Sequence, residues 1–166
     1  MKLILATTRF NIQTWNENQQ YCSESNIGRG CLYGTPMRMK DNIPIKADVM
    51  VLEMNNSTNK IMGIGWVKNY VHMDKYYKIY NDGNYNRYVY KGKIHISREM
   101  FDQKDMNIIE VLETLLFYGS RHSKRGQGIS EIPLWIKENE HKYDFVAAIK
   151  RMFIKRNLIK KPLLYV

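Results

Sequence analysis

Two short stretches carry residue types that could do chemistry on a phosphate or a base. In Arg121, His122, Ser123, Lys124, Arg125, three fixed positive charges fall within five residues, and Gly126 and Gly128 follow directly. Cationic side chains beside glycine-freed backbone N–H groups suit phosphate binding; without a ligand the same loop is a solvated charged turn. The second stretch, "YNRYVYKGKIHI", runs from Tyr85 to Ile96 and interleaves Tyr85, Tyr88 and Tyr90 with Arg87, Lys91 and Lys93. Rings among cations suit base stacking, worth about 1–3 kcal/mol per base. Sheet packing competes with that reading, because tyrosine favours strands. Residues two apart on a strand share a face, so Tyr88 and Tyr90 point one way. Tyr85 sits in or beside the preceding loop and is expected to face Tyr90 across a slot. Tyr70, Tyr76, Tyr77 and Tyr80 are placed along the same loop.

Covalent chemistry is harder to place. The four histidines, at 72, 95, 122 and 141, show no metal-binding spacing, and Cys22 and Cys31 lack partner ligands. There is neither a phosphate-cradling GxxxxGK[ST] nor a GxSxG elbow. Asp48 and Glu53 fall on opposite strand faces and make a poor acid–base pair. No catalytic residue, metal or cofactor is therefore assigned. The enzymatic alternatives are a Cys31–His122 pair, or His122 with Lys124 and Arg125 stabilising a phosphoryl transition state. Trp66, in a strand that carries Gly63 and Gly65, is read as core.

The elements that must hold these residues fit into 166 residues, a length for one domain. The formal net charge of +10 favours a polyanionic partner. Abundant Asn, Lys, Ile and Tyr also match A+T-rich codons, so part of that charge and aromaticity is compositional. No apolar run reaches the roughly 18 residues that cross a bilayer. "MKLILATT" reads as a first strand rather than a signal peptide, and the cysteine usage suggests a reduced, intracellular protein, cytoplasmic or nuclear and not secreted.

Residues 1–8 form the first strand, and "TRFNIQTWNENQQYC" a short helix or irregular segment. Gly28, Gly30 and Gly34 punctuate a loop–strand–loop. Asp48 to Lys68 reads as a hairpin about the polar turn "NNSTNK". "YVYKGKIHISREM" is a third clear strand. Apolar residues at 108, 109, 112, 115 and 116 give a helix with Asp105 as N-cap and Gly119 as C-cap. "DFVAAIKRMFIKRNLI" is a final amphipathic helix with Phe145, Ile149, Met152 and Phe153 inside and Lys150 and Arg151 on its wet face. This order of strands and helices means α+β.

Taken in order, these motifs resemble YTH and EVE domains of the PUA-like superfamily. The hairpin with Gly63, Ile64, Gly65, Trp66 and Val67 is similar to their central "xGxAxM" signature. "YVYKGKIHI" resembles the "WKGRFxV" strand, with Tyr90 at the tryptophan position. "SRHSKRGQGISEIP" is similar to "SRDxQEI" with basic residues inserted, and "LYGTPMRMK" resembles the cage strand and its basic sequel. The resemblance spans roughly residues 1–135, leaving 136–166 as a C-terminal helical extension. It implies a small curved β-barrel wrapped by helices, forming one domain over 1–166. It also implies capture of a flipped or single-stranded base, N6-methylated in YTH relatives, from RNA or DNA. Carried over by position, the base-binding residues are Tyr85, Tyr90 and either Leu32 or Tyr33. Arg121, Lys124, Arg125, Arg38 and Lys91 are assigned to phosphates, and Arg29 and Lys40 flank the pocket strand. The family cage uses tryptophan, whereas Trp15, Trp66 and Trp135 fall on no cage position. The rival functions are a PUA-like ribonuclease or modifying enzyme, and a basic module that docks an acidic protein. Oligomeric state is left open.

Overall fold

The structure, a computed structural model, describes residues 2–161. It is α+β, with a mixed five-stranded sheet crossed on one face by a two-stranded ribbon and covered on the other by helices. The first strand, β1 (Leu3–Phe10), is buried nearly throughout, Thr7 and Thr8 included, because both of its faces are covered. Helix α1 (Ile12–Glu24) follows, opened by a capping box in which Asn11 accepts from Thr14 N–H and Thr14 Oγ1 accepts from Asn11 N–H. β2 (Cys31–Thr35) leaves the main sheet, and β3 (Asp48–Asn55) returns to pair parallel with β1, from Leu3 against Asp48 to Phe10 against Asn55.

The hairpin expected over Asp48 to Lys68 forms with those limits, its second strand being β4 (Lys60–Lys68). The register shifts between Leu52 and Met54, leaving Glu53 at an irregularity. The single strand expected over "YVYKGKIHI" is instead two. β5 (Tyr88–Gly92) pairs with β2 and β6 (Ile94–Ser97) pairs with β4. Gly92 is the break: a Cβ there would overlap the Trp66 carbonyl oxygen, so the chain can turn from one layer to the other only without a side chain.

Helix α2 (Gln103–Phe117) starts one turn earlier than expected. Asp102 is its N-cap, and Asp105 completes the capping box, each side chain accepting the other's backbone N–H. Gly119, in the left-handed region at φ +82°, follows the helix end. β7 (Ser130–Glu131) pairs with the middle of β1, the short α3 (Leu134–Lys137) follows, and α4 (Phe145–Lys155) closes the fold. Phe145, Ile149, Met152 and Phe153 of α4 are buried as expected. Helix α4 is thus part of the core, with Phe153 edge-on to Trp66 at 5.1 Å between ring centroids.

Alternation along β3 divides the interior into two layers. Val49 and Val51 face the ribbon and α1, whereas Met50, Leu52 and Met54 face α2 and α4. The order β6-β4-β3-β1-β7, with β2-β5 apart, corrects the barrel expectation: among the described residues the strands do not close. The five-stranded sheet has α2 and α4 on its far face, and the ribbon lies across the near one, so the curvature needed for closure gives way to layering.

Candidate functional site

A cavity of about 270 Å³ opens where the end of β1, the start of α1, the end of β2 and the 124–128 loop meet. With Asn56 and the Tyr80–Tyr85 stretch, five stretches of chain converge there, and Arg9 ties β1 to the basic loop. Its Nη1 donates to Thr7 Oγ1 at 2.9 Å and to the Ser123 carbonyl at 3.2 Å. Its Nη2 donates to the Gly128 carbonyl at 2.7 Å and to Ser130 Oγ at 3.0 Å. Burial lowers the Arg9 pKa to about 10, which still leaves a full charge at neutral pH. A Cβ on Gly126 would press on the guanidinium, so this glycine lets the loop lie flat over Arg9. Arg9 Nε and Asn56 Oδ1 are buried beside the cavity without a protein partner.

The basic loop is ordered by its own backbone. The Lys124 carbonyl accepts from Asn56 Nδ2 at 2.8 Å, Lys124 N–H donates to His122 Nδ1 at 3.2 Å, and Lys124 Nζ reaches Asn59 Oδ1 at 2.7 Å. Lys124 and Arg125 both line the cavity. On the opposite wall, Tyr85 is 38% exposed and stands edge-on to buried Tyr80, with ring centroids 6.2 Å apart. Gly34 makes this wall possible, since a Cβ there would overlap the Tyr85 carbonyl oxygen.

Of the residues singled out in the sequence, the structure brings Tyr85, Lys124 and Arg125 together at one cavity and leaves the others elsewhere. Tyr33, at 1% exposure, Tyr90, at 0%, and Leu32 are core residues. Tyr33 and Tyr90 sit directly opposite each other in the ribbon. The Tyr90 hydroxyl accepts from Met39 N–H at 2.9 Å, and the Tyr33 hydroxyl donates to Glu53 Oε2 at 2.8 Å. The slot expected between Tyr85 and Tyr90 is not formed, because β-pairing draws Tyr90 under the ribbon while the short 3-10 turn Gly83–Asn86 holds Tyr85 outside it. Arg121 also leaves the cavity. Its guanidinium stacks on Trp135 at 4.1 Å, beside an apolar groove along α2. Arg38 packs on the Tyr88 ring at 5.0 Å, and Lys91 on the Tyr77 ring at 4.4 Å.

Sequence reasoning missed Arg9, which lies just beyond the strand limit drawn at residue 8. It also missed a buried polar cluster. Glu53, 2% exposed, meets His95 Nε2 at 2.8 Å as well as the Tyr33 hydroxyl, and so joins β2 of the ribbon to β3 and β6 of the sheet. Gly63 and Gly65 make room for it: a Cβ on Gly65 would overlap the Tyr33 hydroxyl. Burial opposes the His95 imidazolium, but the Glu53 charge and hydrogen bond outweigh it, and the net shift is upward. Burial and then the Glu53 charge push the Cys31 thiol up, while burial leads the upward shift of the Tyr33 phenol. A protonated thiol and phenol are poor nucleophiles. The signal for this cluster was a lone carboxylate inside the apolar strand "VMVLEM".

Among the described residues, no three His, Cys, Asp or Glu side chains assemble a metal site, and no helix is long and apolar enough to cross a membrane. No protein-family model, curated protein or solved structure matches the chain.

Proposed function

We propose that this protein binds single-stranded RNA or DNA, taking one base into the cavity of about 270 Å³ beside Tyr85 and holding adjacent phosphates on Lys124 and Arg125. The observation that carries this reading is the convergence at one small cavity of an accessible ring, two cationic side chains and a loop fixed by half-buried Arg9. An aromatic face supplies sequence-tolerant stacking, and the cations supply the salt-sensitive part of the affinity. The resemblance to YTH and EVE domains supports the same class of ligand and makes an N6-methylated base the first to test. Tyr85 is the ring available to such a base, since Leu32, Tyr33 and Tyr90 have no exposed surface to offer.

The reading is one of binding without turnover. It is tested by titrating methylated and unmodified short RNA and DNA strands against the wild type, Tyr85→Ala and Lys124→Ala/Arg125→Ala. Loss of stacking in Tyr85→Ala costs about 1–3 kcal/mol. Loss of both cations reduces the slope of log affinity against log salt by about 0.7 for each phosphate contact removed. Unchanged affinity and slope in both variants refute the site. Strand cleavage that disappears in His122→Ala refutes the absence of turnover.

A further inference from the structure

A second basic groove lies at the other end of the ribbon. About 650 Å³ in volume, it is lined by Lys46, Lys68, Lys91 and Lys93 together with Trp66, Tyr70 and His72. The one carboxylate lining it is Asp48, which is already engaged: it meets Lys68 Nζ at 3.1 Å and accepts from Trp66 Nε1 at 3.1 Å. Four lysines against one carboxylate leave a formal charge of +3 on the groove. Lys46, Lys68 and Lys93 are exposed, and so is the Tyr70 ring, which stands edge-on to His72 at 5.2 Å. Asp74, just outside, is held by the Tyr77 hydroxyl at 2.6 Å, and Lys75 and Lys91 pack on that same Tyr77 ring at 5.1 and 4.4 Å.

The groove and the cavity are linked by the ribbon. Gly34, in the cavity wall, pairs with Val89; Lys91 and Gly92, in the groove wall, pair with Leu32 and Cys31. Two to three residues of strand separate them, about 7–10 Å at 3.3 Å per residue. Beside the cavity end, Arg38 and Arg87 both lie against the Tyr88 ring, at 5.0 and 5.7 Å. Cations and rings thus run along the ribbon from one opening to the other.

We infer that the Lys46–Lys68–Lys91–Lys93 groove is a second contact for the same single strand, receiving phosphates a few nucleotides away from the base held beside Tyr85. The inference rests on the base-binding reading above and adds to it a footprint and a direction along the ribbon. An electropositive groove with rings on its walls matches a flexible polyanion that carries flat bases. Lysine is a point charge that needs no fixed acceptor geometry, so it suits a backbone held without sequence preference.

The test uses the whole chain, a homopolymer strand of about 12 nucleotides and a dinucleotide of the same base, the longer lying within the site sizes of single-strand binders. The variant is Lys46→Gln/Lys68→Gln/Lys93→Gln, which spares Lys91 because its stem packs on Tyr77. Matching circular dichroism and thermal melting establish that it folds. On the long strand, loss of three contacts at about 0.7 each lowers the salt slope by about 2, so the deficit relative to wild type changes by about 16-fold between about 50 and about 200 mM salt. The dinucleotide, too short to bridge cavity and groove, binds both proteins equally. Equal binding of the long strand overturns the inference, as does an equal loss on both strands, or a wild type that does not prefer the longer one. Equal binding of polyglutamate of matched charge reassigns the groove to acidic proteins. If Tyr85→Ala is silent while the triple variant weakens the long strand, the groove stands and the base cavity falls. If neither strand binds the wild type, both fall.

Discussion

Tyr33→Phe removes one oxygen atom from the interior and tests how the ribbon is fastened to the sheet. Glu53 Oε2 accepts from the Tyr33 hydroxyl at 2.8 Å in a site where Glu53 is 2% exposed. With phenylalanine there, no hydroxyl donates to that oxygen, and the glycines around it offer no side-chain donor. A hydrogen bond to a charged group contributes about 1.5–3 kcal/mol, and an unsatisfied buried acceptor costs about as much. The expected loss is about 2–3 kcal/mol. In a domain of this size each kcal/mol moves the midpoint by about 2–4 °C, so Tm falls by about 4–12 °C. Urea denaturation gives the free energy, and the double variant Tyr33→Phe/Glu53→Leu supplies the control. Replacing both partners by apolar groups removes the orphaned carboxylate, so the double variant loses less than the sum of the singles. The same cluster sets a pH dependence. The folded pKa of His95 is raised, so its contribution is fully present below the unfolded value of about 6.5 and is lost as pH rises through the folded value. Stability measured from about pH 6 to about pH 9 therefore declines more in the wild type than in His95→Gln. His72, held below its ordinary value by burial and by Lys91, gives the opposite slope at lower pH, which is why the difference between the two proteins is the quantity read. A Tyr33→Phe loss below about 0.5 kcal/mol, the range of an ordinary surface change, refutes the reasoning.

Two further substitutions address the joints of the fold. Gly92→Ala places a Cβ on the Trp66 carbonyl, a backbone atom that cannot swing away, so the variant is expected to lose about 1–3 kcal/mol in chemical denaturation; a neutral result would mean that the β5–β6 break is not sterically imposed. Asp105→Ala removes the buried partner of Arg156 and Lys155, which keep the Met152 and Met100 carbonyls and Asp102 respectively, and leaves the Asp102 N–H without its acceptor, so about 1–3 kcal/mol is lost, and a Tm within about 1 °C of wild type would refute it.

The elements written in local periodicity were legible. The hairpin from Asp48 to Lys68 and the buried face of α4 follow from alternation and from helical spacing alone. The α2 cap moved by one turn because Asp102 and Asp105 both suit a capping box, and only the observed reciprocal bonds assign their roles. Long-range pairing was not legible. Nothing local in "YVYKGKIHI" says that its two halves serve different strands, since that depends on how close Gly92 lies to Trp66. The site divided in the same way. Lys124 and Arg125 were visible as a cluster in sequence, whereas Arg9 gains its role from loop carbonyls more than 110 positions away. Tyr90 was read as a ligand for want of any sequence sign that it pairs across the ribbon with Tyr33 beneath the surface. Arg121 was drawn away by Trp135, a partner 14 residues further along.

The pairing of β1 with β7 has a consequence for the order in which the chain is made. β1 leaves the ribosome before the other strands of its sheet, yet the strand that covers its outer side, at Ala6 and Thr7, is Ser130–Glu131. Until those residues emerge, a strand with the apolar start Leu3–Ala6 shows unpaired amide and carbonyl groups along one side, the feature that invites pairing with another chain. Arg9 is exposed to the same delay, since its carbonyl partners at Ser123 and Gly128 arrive only then. Nascent chains stalled before residue 130 should therefore need a chaperone to stay soluble, and the stretch from Ser123 to Glu131 covers the sheet edge and completes the Arg9 contacts together.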